Sequence, residues 1–316
     1  MSSLPVLSPD RARDPVGDGP AAPPWPHEPT VEWQVLGQCN YDCSYCVQSK
    51  RHRVGVPAAE QLDAALTFLA SLPGAWEVKT TGGEPFAFRG FLDLVVPRLM
   101  ETRHRMSTLT NLSAPTRTLQ RFAGLTYRRL HVVSASLHLE HTEPGPFLDR
   151  LGALKEAVHE STSIVVNCVL VPDRLSEVQR AQERVRACGF RFFPQLMKVK
   201  GGVFAYSREQ LEQVREIVGD LERASATRTA NLAPAYTGRH CFAGARYLVL
   251  TKDGEAYRCR TARRHGEGWL GDVRSGIALA RGPIRCSYTI CPCATPANRG
   301  MIEGVPMRTT ALSEDA

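Results

Sequence analysis

Cys39, Cys43 and Cys46 fall within eight residues of the segment LGQCNYDCSYCVQS, although the 316-residue chain has only ten cysteines. Three thiols in one loop leave one over if they pair as disulfides, and such spacing more often serves a metal. Structural zinc takes four ligands in a closed tetrahedron, and residues 36–49 contain no fourth Cys or His. Three ligands suit a four-iron cluster whose remaining iron stays open to another group; zinc completed from elsewhere is the alternative. A second set of thiols closes the chain's chemistry: Cys241 and Cys259, then Cys286, Cys291 and Cys293 in CSYTICPC. Five thiols around one four-ligand centre leave one spare, and a zinc hairpin is again the alternative.

The elements that must hold these residues alternate strand and helix. VEWQVLG (31–37) reads as a first strand running into the cysteine loop. Helical spacing follows at 58–72, a strand at 76–83 ending in Gly82 and Gly83, and a helix at 91–102 that Pro97 should kink or end early. Further strands are expected at 105–113, 128–138, 162–172 and 190–200. Further helices are expected at 116–125, 147–160, 175–189 and 207–224, the last opened by a Ser207/Gln210 capping box. Six βα units in a row imply a parallel sheet with helices outside, and six rather than eight imply an incomplete barrel. Chemistry in such folds sits at the carboxyl ends of the strands, where the cysteine loop lies. From about residue 236 the rhythm breaks, and ARYLVL, KDGE and AYRC read as a hairpin with a thiol at each end.

The Cys39-x-x-x-Cys43-x-x-Cys46 loop after a first strand, with TTGGEP ending the second, resembles the radical S-adenosylmethionine (SAM) superfamily. That resemblance implies a [4Fe–4S] cluster on the three thiolates and SAM chelated by the open iron. One electron from the cluster then cleaves SAM to methionine and a 5′-deoxyadenosyl radical, which abstracts a substrate hydrogen. It places Tyr45 against the adenine of SAM, Gly82 and Gly83 where backbone approaches the ligand closely, and Glu84 where it accepts from the SAM amino group. Asn111, in TLTNLS, matches the family's TN turn beside the SAM site. Ser136 matches a position touching the ribose or carboxylate, and Asn167 one near the ribose; each is also the kind of polar residue that satisfies a strand end. His138 faces the substrate as a base or lies in a loop.

The C-terminal cysteines resemble the twitch domain, a shortened SPASM domain with one auxiliary [4Fe–4S] cluster. The resemblance implies Cys241, Cys259, Cys291 and Cys293 as ligands and Cys286 as the spare, with Cys291 or Cys293 the alternative spare. In relatives that epimerise carbon centres a cysteine donates a hydrogen atom to the substrate radical; in those that dehydrogenate alcohols the auxiliary cluster helps remove the second electron. A spare buried thiol without chemistry is the plain alternative. Cys168 and Cys188 read as core residues. RCRTARRH (258–265) carries four arginines beside Cys259; it could bind a phosphorylated or carboxylated substrate or offset cluster charge, and the preferred reading is a solvated turn.

The expected architecture is therefore α/β, a partial (β/α)6 TIM-like barrel with a small C-terminal auxiliary-cluster domain of hairpin and cysteine-rich segment. Its divisions are 1–30 as a disordered proline-rich tail, 31–235 as the radical SAM core, 236–296 as the twitch-like domain and 297–316 as a C-terminal tail. Eight prolines and no hydrophobic periodicity mark residues 1–30. The net charge of +7 comes from 33 arginines and six lysines scattered along the chain, which argues against a dedicated nucleic-acid face. No signal peptide or 18-residue apolar span is present, and thiols clustered as ligands need a reducing compartment, so a cytoplasmic location is expected. The expected reaction is epimerisation or dehydrogenation of a hydroxylated small molecule, an aminoglycoside-type sugar or cyclitol of natural-product biosynthesis. It would draw electrons from a flavodoxin- or ferredoxin-type donor. Residues 1–30 are too short and proline-rich for a folded peptide-binding domain, although modification of a ribosomally made peptide is the rival reading.

Overall fold

The computed structural model describes residues 28–48, 53–199, 202–219, 235–291 and 294–305. Residues 1–27 of the expected proline-rich tail, 306–316 of the C-terminal tail, and Cys293 lie outside them. Six βα units build the core, with strands β1 (Thr30–Leu36), β2 (Glu77–Gly82), β3 (Arg105–Thr110), β4 (Leu130–Ser136), β5 (Ser163–Leu170) and β6 (Arg191–Leu196). Helices α1 (Ala59–Ser71), α2 (Val96–Met100), α3 (Thr116–Thr126), α4 (Pro144–Ala157), α5 (Leu175–Ala187) and α6 (Arg208–Val218) follow them in turn. Two short strands, β7 (Lys198–Val199) and β8 (Gly202–Val203), form a separate ribbon before α6. All six core strands run parallel.

Side-chain alternation explains the layering. Along β5, every second residue from Ile164 to Leu170 is buried. These join Val31, Trp33, Val35, Val78, Met106 and Val133 in one core with the helix residues Leu62, Leu66, Leu69, Phe122, Leu151 and Val185. The opposite, inner face carries Glu32, Gln34, Glu77, Lys79, Ser107, Ser134, Ser136 and Asn167, because successive strand residues point to opposite faces. The Ser207/Gln210 capping box is present in both halves.

The expected helix at 91–102 is two elements. A π-helical turn over Phe91–Val95 runs into α2, with Pro97 in its first turn. The proline has no N–H to donate, and the wider turn ahead of it takes up the break without ending the chain's helical path.

The C-terminal strands are β9 (His240–Cys241), β10 (Tyr247–Leu250), β11 (Glu255–Tyr257), β12 (Trp269–Asp272), β13 (Gly276–Ile277) and β14 (Ile284–Arg285), with short helices α7 (Arg260–Arg264) and α8 (Ala294–Asn298). The expected β10–β11 hairpin forms, and it continues the main sheet. β10 lies parallel to β1, giving ten strands in the order β13-β12-β11-β10-β1-β2-β3-β4-β5-β6. A second, smaller core of Tyr236, Phe242, Tyr247, Val249, Ala297, Met301 and Ile302 packs behind Cys241, Cys259 and Cys291. Residues 297–305, expected as tail, therefore carry core side chains. The last residues of the other expected tail are also engaged: Glu28 N–H donates to Arg299 O and Thr30 belongs to β1.

Candidate active site

The cysteine loop leaves β1 at Leu36 and is fastened from three directions. Gly83 N–H donates to Leu36 O at 3.0 Å and Glu84 N–H to Gln38 O at 2.9 Å. A Cβ on Gly83 would sit 1.7 Å from Gln38 O, and one on Gly82, whose φ is +129°, 2.3 Å from Leu36 O. These glycines are thus required for backbone-to-backbone contact between the β2 turn and the cysteine loop; the expected reason, close approach to a ligand, is not needed to explain them. From the third strand, Asn111 Nδ2 donates to Asn40 Oδ1 at 2.9 Å, and Asn40 Nδ2 donates to Ser113 Oγ at 2.9 Å. Inside the loop, Arg53 donates to Asp42 Oδ1 (2.5 Å), Gln48 O (3.0 Å) and Cys43 O (3.4 Å).

The β4 turn covers the other side. Ser44 N–H and Oγ–H both donate to the Glu140 carboxylate, at 2.8 and 2.5 Å. Tyr41 stacks on His141 with ring centres 4.6 Å apart. Tyr45 stacks on His138, its Oη 2.8 Å from His138 Nδ1, and that nitrogen lies 3.5 Å from Cys43 Sγ. Burial pushes the His138 pKa down to about 4, with the neighbouring His141 adding to it, so the ring is neutral at pH 7.

Glu84 is buried to 2 % exposure. Its carboxylate accepts from Thr110 Oγ (2.8 Å), Asn111 N–H (2.6 Å) and Phe86 N–H (3.1 Å). Burial nevertheless pushes its pKa up to about 7, the three donors opposing. A cation arriving beside such a carboxyl would draw it into the ionised form. Ser136 and Asn167 sit opposite each other on β4 and β5, but the Asn167 amide donates to Ser134 Oγ at 2.7 Å.

The thiols suit a cluster. Burial pushes the Cys43 pKa up to about 12 and raises that of Cys39, so the metal-free loop keeps them protonated and an iron centre would supply the compensating charge. Three soft sulfur donors match a [4Fe–4S] cluster better than a carboxylate-preferring cation.

In the C-terminal region Cys241 lies on β9 opposite Ile284, and Cys259 caps α7, its sulfur accepting from Ala262 N–H at 3.3 Å. Burial pushes Cys241 up to about 12, and the nearby thiols of Cys259 and Cys286 add to this. Cys291 and Cys241 both bear on Tyr236. The fold brings Cys241, Cys259, Cys286 and Cys291 into one neighbourhood and does not set Cys286 apart from them. Cys168 is buried as expected, whereas Cys188 is exposed, because its position just past the end of α5 turns it to solvent.

The arginine segment corrects the sequence reading. Arg258 is buried, Arg260 pairs with Glu32, and Arg263 donates to Gln34 Oε1 at 2.7 Å. These side chains turn inward because α7 follows β11, two strands from β1 in the sheet, and its arginines reach back to Glu32 and Gln34 on the inner face. Asn40, Ser44, Arg53 and Glu140 hold the loop and were not foreseen; single polar residues in a loop carry no periodic signal.

A family model described as the Radical SAM superfamily matches residues 33–185. A search of the curated proteins finds no match to this chain. Among solved structures, native anSMEcpe with bound AdoMet and the Kp18Cys peptide superposes with a TM-score of 0.54 at 16 % identity, covering 79 % of each chain. SuiB from Streptococcus suis, bound to the precursor peptide SuiA, gives 0.54 at 13 % identity over 81 % of this chain and 63 % of that one. BtrN in complex with AdoMet and 2-DOIA gives 0.43 at 15 % identity over 78 % of each. Among the described residues, no helix is long and apolar enough to cross a membrane. The cysteine loop, the GGEP turn and the family match together identify residues 33–185 as a radical SAM domain, of a superfamily whose enzymes use a [4Fe–4S] cluster and SAM.

Proposed function

We propose that this enzyme abstracts a carbon-bound hydrogen from a hydroxylated small molecule of the sugar or cyclitol type, giving inversion or oxidation at that carbon. The observation that carries the reading is the convergence of the cysteine loop, the Gly82–Gly83 turn and the Asn111 turn at the carboxyl ends of β1, β2 and β3. Beside them runs an inner face of hydroxyls and amides at Ser134, Ser136 and Asn167, groups suited to binding carbinols. When bound, the cluster and SAM supply the hydrogen-abstracting radical. Cys39, Cys43 and Cys46 would hold that cluster, Glu84 would receive the SAM amino group, and Tyr45 with His138 would flank the adenine. His138 Nδ1 is occupied by Tyr45, so the ring would serve as a base only through Nε2.

Cys241, Cys259, Cys291 and Cys293 would hold an auxiliary [4Fe–4S] cluster, leaving Cys286 as the hydrogen-atom donor in an inversion. The sulfur left behind would be restored by one electron and one proton. A flavodoxin- or ferredoxin-type protein is the natural electron source. Modification of a ribosomally made peptide is the second reading. It is supported by the fold shared with anSMEcpe and SuiB, both of which have been seen with peptides.

The test incubates anaerobically reconstituted enzyme with SAM, dithionite and candidate polyols deuterated at single carbons. Deuterium reaching 5′-deoxyadenosine from one carbinol position is expected. In deuterium oxide, inversion places solvent deuterium on carbon and the Cys286→Ala variant diverts the product, whereas oxidation yields a ketone without it. Deuterium transfer from a peptide alone would replace the small-molecule reading by the second.

A further inference from the structure

The inner face of the sheet is stacked in charged layers, and the layers do not balance. At the base, the Glu77 carboxylate meets Arg299 at 2.7 Å through both oxygens, with His131 at 3.5 Å. One layer higher, Glu32 and Lys79 are cross-strand partners. Glu32 receives Arg260 and the hydroxyl of Tyr247 at 2.7 Å, and Lys79 Nζ donates to Thr295 Oγ at 3.2 Å. In the layer nearest the cysteine loop, Gln34 stands beside Thr81 and accepts from Arg263 Nη1. Each buried carboxylate on this face thus has an arginine. The guanidinium of Arg263 instead meets a neutral amide, with its Cζ 5.7 Å from the Tyr257 ring.

We infer that Arg263, fixed by Gln34 and the face of Tyr257, is the anchor for an oxyanion, a carboxylate or phosphate carried by the substrate. Planar guanidinium donors match both groups in a two-point contact. The position fits: α7 begins at Cys259, a candidate auxiliary ligand, while Gln34 stands two residues before Leu36, where the cysteine loop begins. An anchor there would hold a molecule between the two thiol sets. The negative groups that act on Arg263 are Glu255, whose carboxylate accepts from the Tyr257 hydroxyl at 3.1 Å, and Asp253, and a bound oxyanion would have to compete with them. This inference rests on the proposed function and narrows it: the hydroxylated substrate bears an acidic group, and a purely cationic amino sugar would be repelled.

The test reads Arg263 directly. The full reconstituted chain is treated with phenylglyoxal under argon, and labelling of Arg263 is followed by peptide mass spectrometry. Arms contain inorganic phosphate, acetate, chloride at equal ionic strength, or the neutral polyol myo-inositol. Saturating phosphate or acetate should slow labelling roughly tenfold, as expected when a charge-assisted contact fills the site, and chloride and inositol should not. Protection by phosphate but not acetate, or the reverse, names the anion.

Equal protection by chloride, no protection by either oxyanion, or an Arg263 that never labels would overturn the inference. So would loss of labelling on cluster reconstitution alone, which would make Arg263 a partner of the cluster. Formation of 5′-deoxyadenosine, measured in the same preparation, reports separately on the radical SAM reading.

Discussion

Replacing Arg299 by leucine tests what holds the C-terminal segment to the barrel. Arg299 is 10 % exposed, and the Glu77 side chain it meets is fully buried. Ser107 Oγ–H also donates to that carboxylate. Burial alone would raise the Glu77 pKa, yet His131, Arg299 and Ser107 together hold it down to about 2 against an ordinary 4.5. Removing one partner of a buried pair leaves an uncompensated charge, which costs about 3–5 kcal/mol. Urea unfolding of the full chain at pH 7.5 should show a loss of that size. A depressed carboxylate contributes stability that is present above pH 4.5 and lost as pH falls from 4.5 towards 2. In Arg299→Leu the balance tips towards burial, the carboxyl rises towards protonation, and part of this acid-limb loss should vanish. The double variant Glu77→Gln/Arg299→Leu should recover part of the stability, since no charge is then orphaned. A loss below about 1 kcal/mol, the range of an exposed ion pair, with an unchanged acid limb, would refute the reasoning.

The triple variant Cys39→Ala/Cys43→Ala/Cys46→Ala should retain about four of the about eight irons expected in reconstituted wild type; retention of none would remove the auxiliary cluster from the proposal. Gly83→Ala forces a Cβ against the backbone carbonyl of Gln38, an overpacking worth about 1–3 kcal/mol, and should lower iron retention. Gly124→Ala, on α3 with nothing within 4 Å of the added carbon, should leave iron content unchanged. Tyr45→Phe deletes the 2.8 Å contact to His138 and should cost about 1 kcal/mol in thermal or urea unfolding while keeping the ring and the iron. Loss of iron there would show that the hydroxyl, rather than the stack, holds the loop.

Local signals explain what the sequence disclosed. Alternating burial along β5 and the spacing of Leu62, Leu66 and Leu69 on α1 are periodic, so both elements were legible. The Cys39–Cys46 spacing and the GGEP turn were legible because each is a short run with a distinctive composition. The pairing of β10 with β1 was not, since a four-residue strand carries no mark of a partner more than 200 residues away. The inward turn of Arg260 and Arg263 was hidden for a related reason: a five-residue helix is too short to show an amphipathic period, and clustered arginines read as solvated until Glu32 and Gln34 are placed beneath them. The exposure of Cys188 depends on where α5 ends, which composition fixes only to within a residue or two.

The parallel ladder between β1 and β10 has a mechanical meaning. An incomplete barrel ordinarily leaves its first strand with an unpaired edge, open to association with other chains. Here that edge is taken by β10, so the strand leading into the cysteine loop is hydrogen-bonded on both sides. Cys259, which directly follows β11, is thereby mounted on the same lattice as the strand leading into the first thiol set, like two graduations on a single ruler. The offset of Cys259 from that strand is set by strand spacing across β1, β10 and β11. Electron exchange between centres so mounted would be tuned by the groups lying between them, and a chain shortened before β10 would lose the ruler and expose its first strand together.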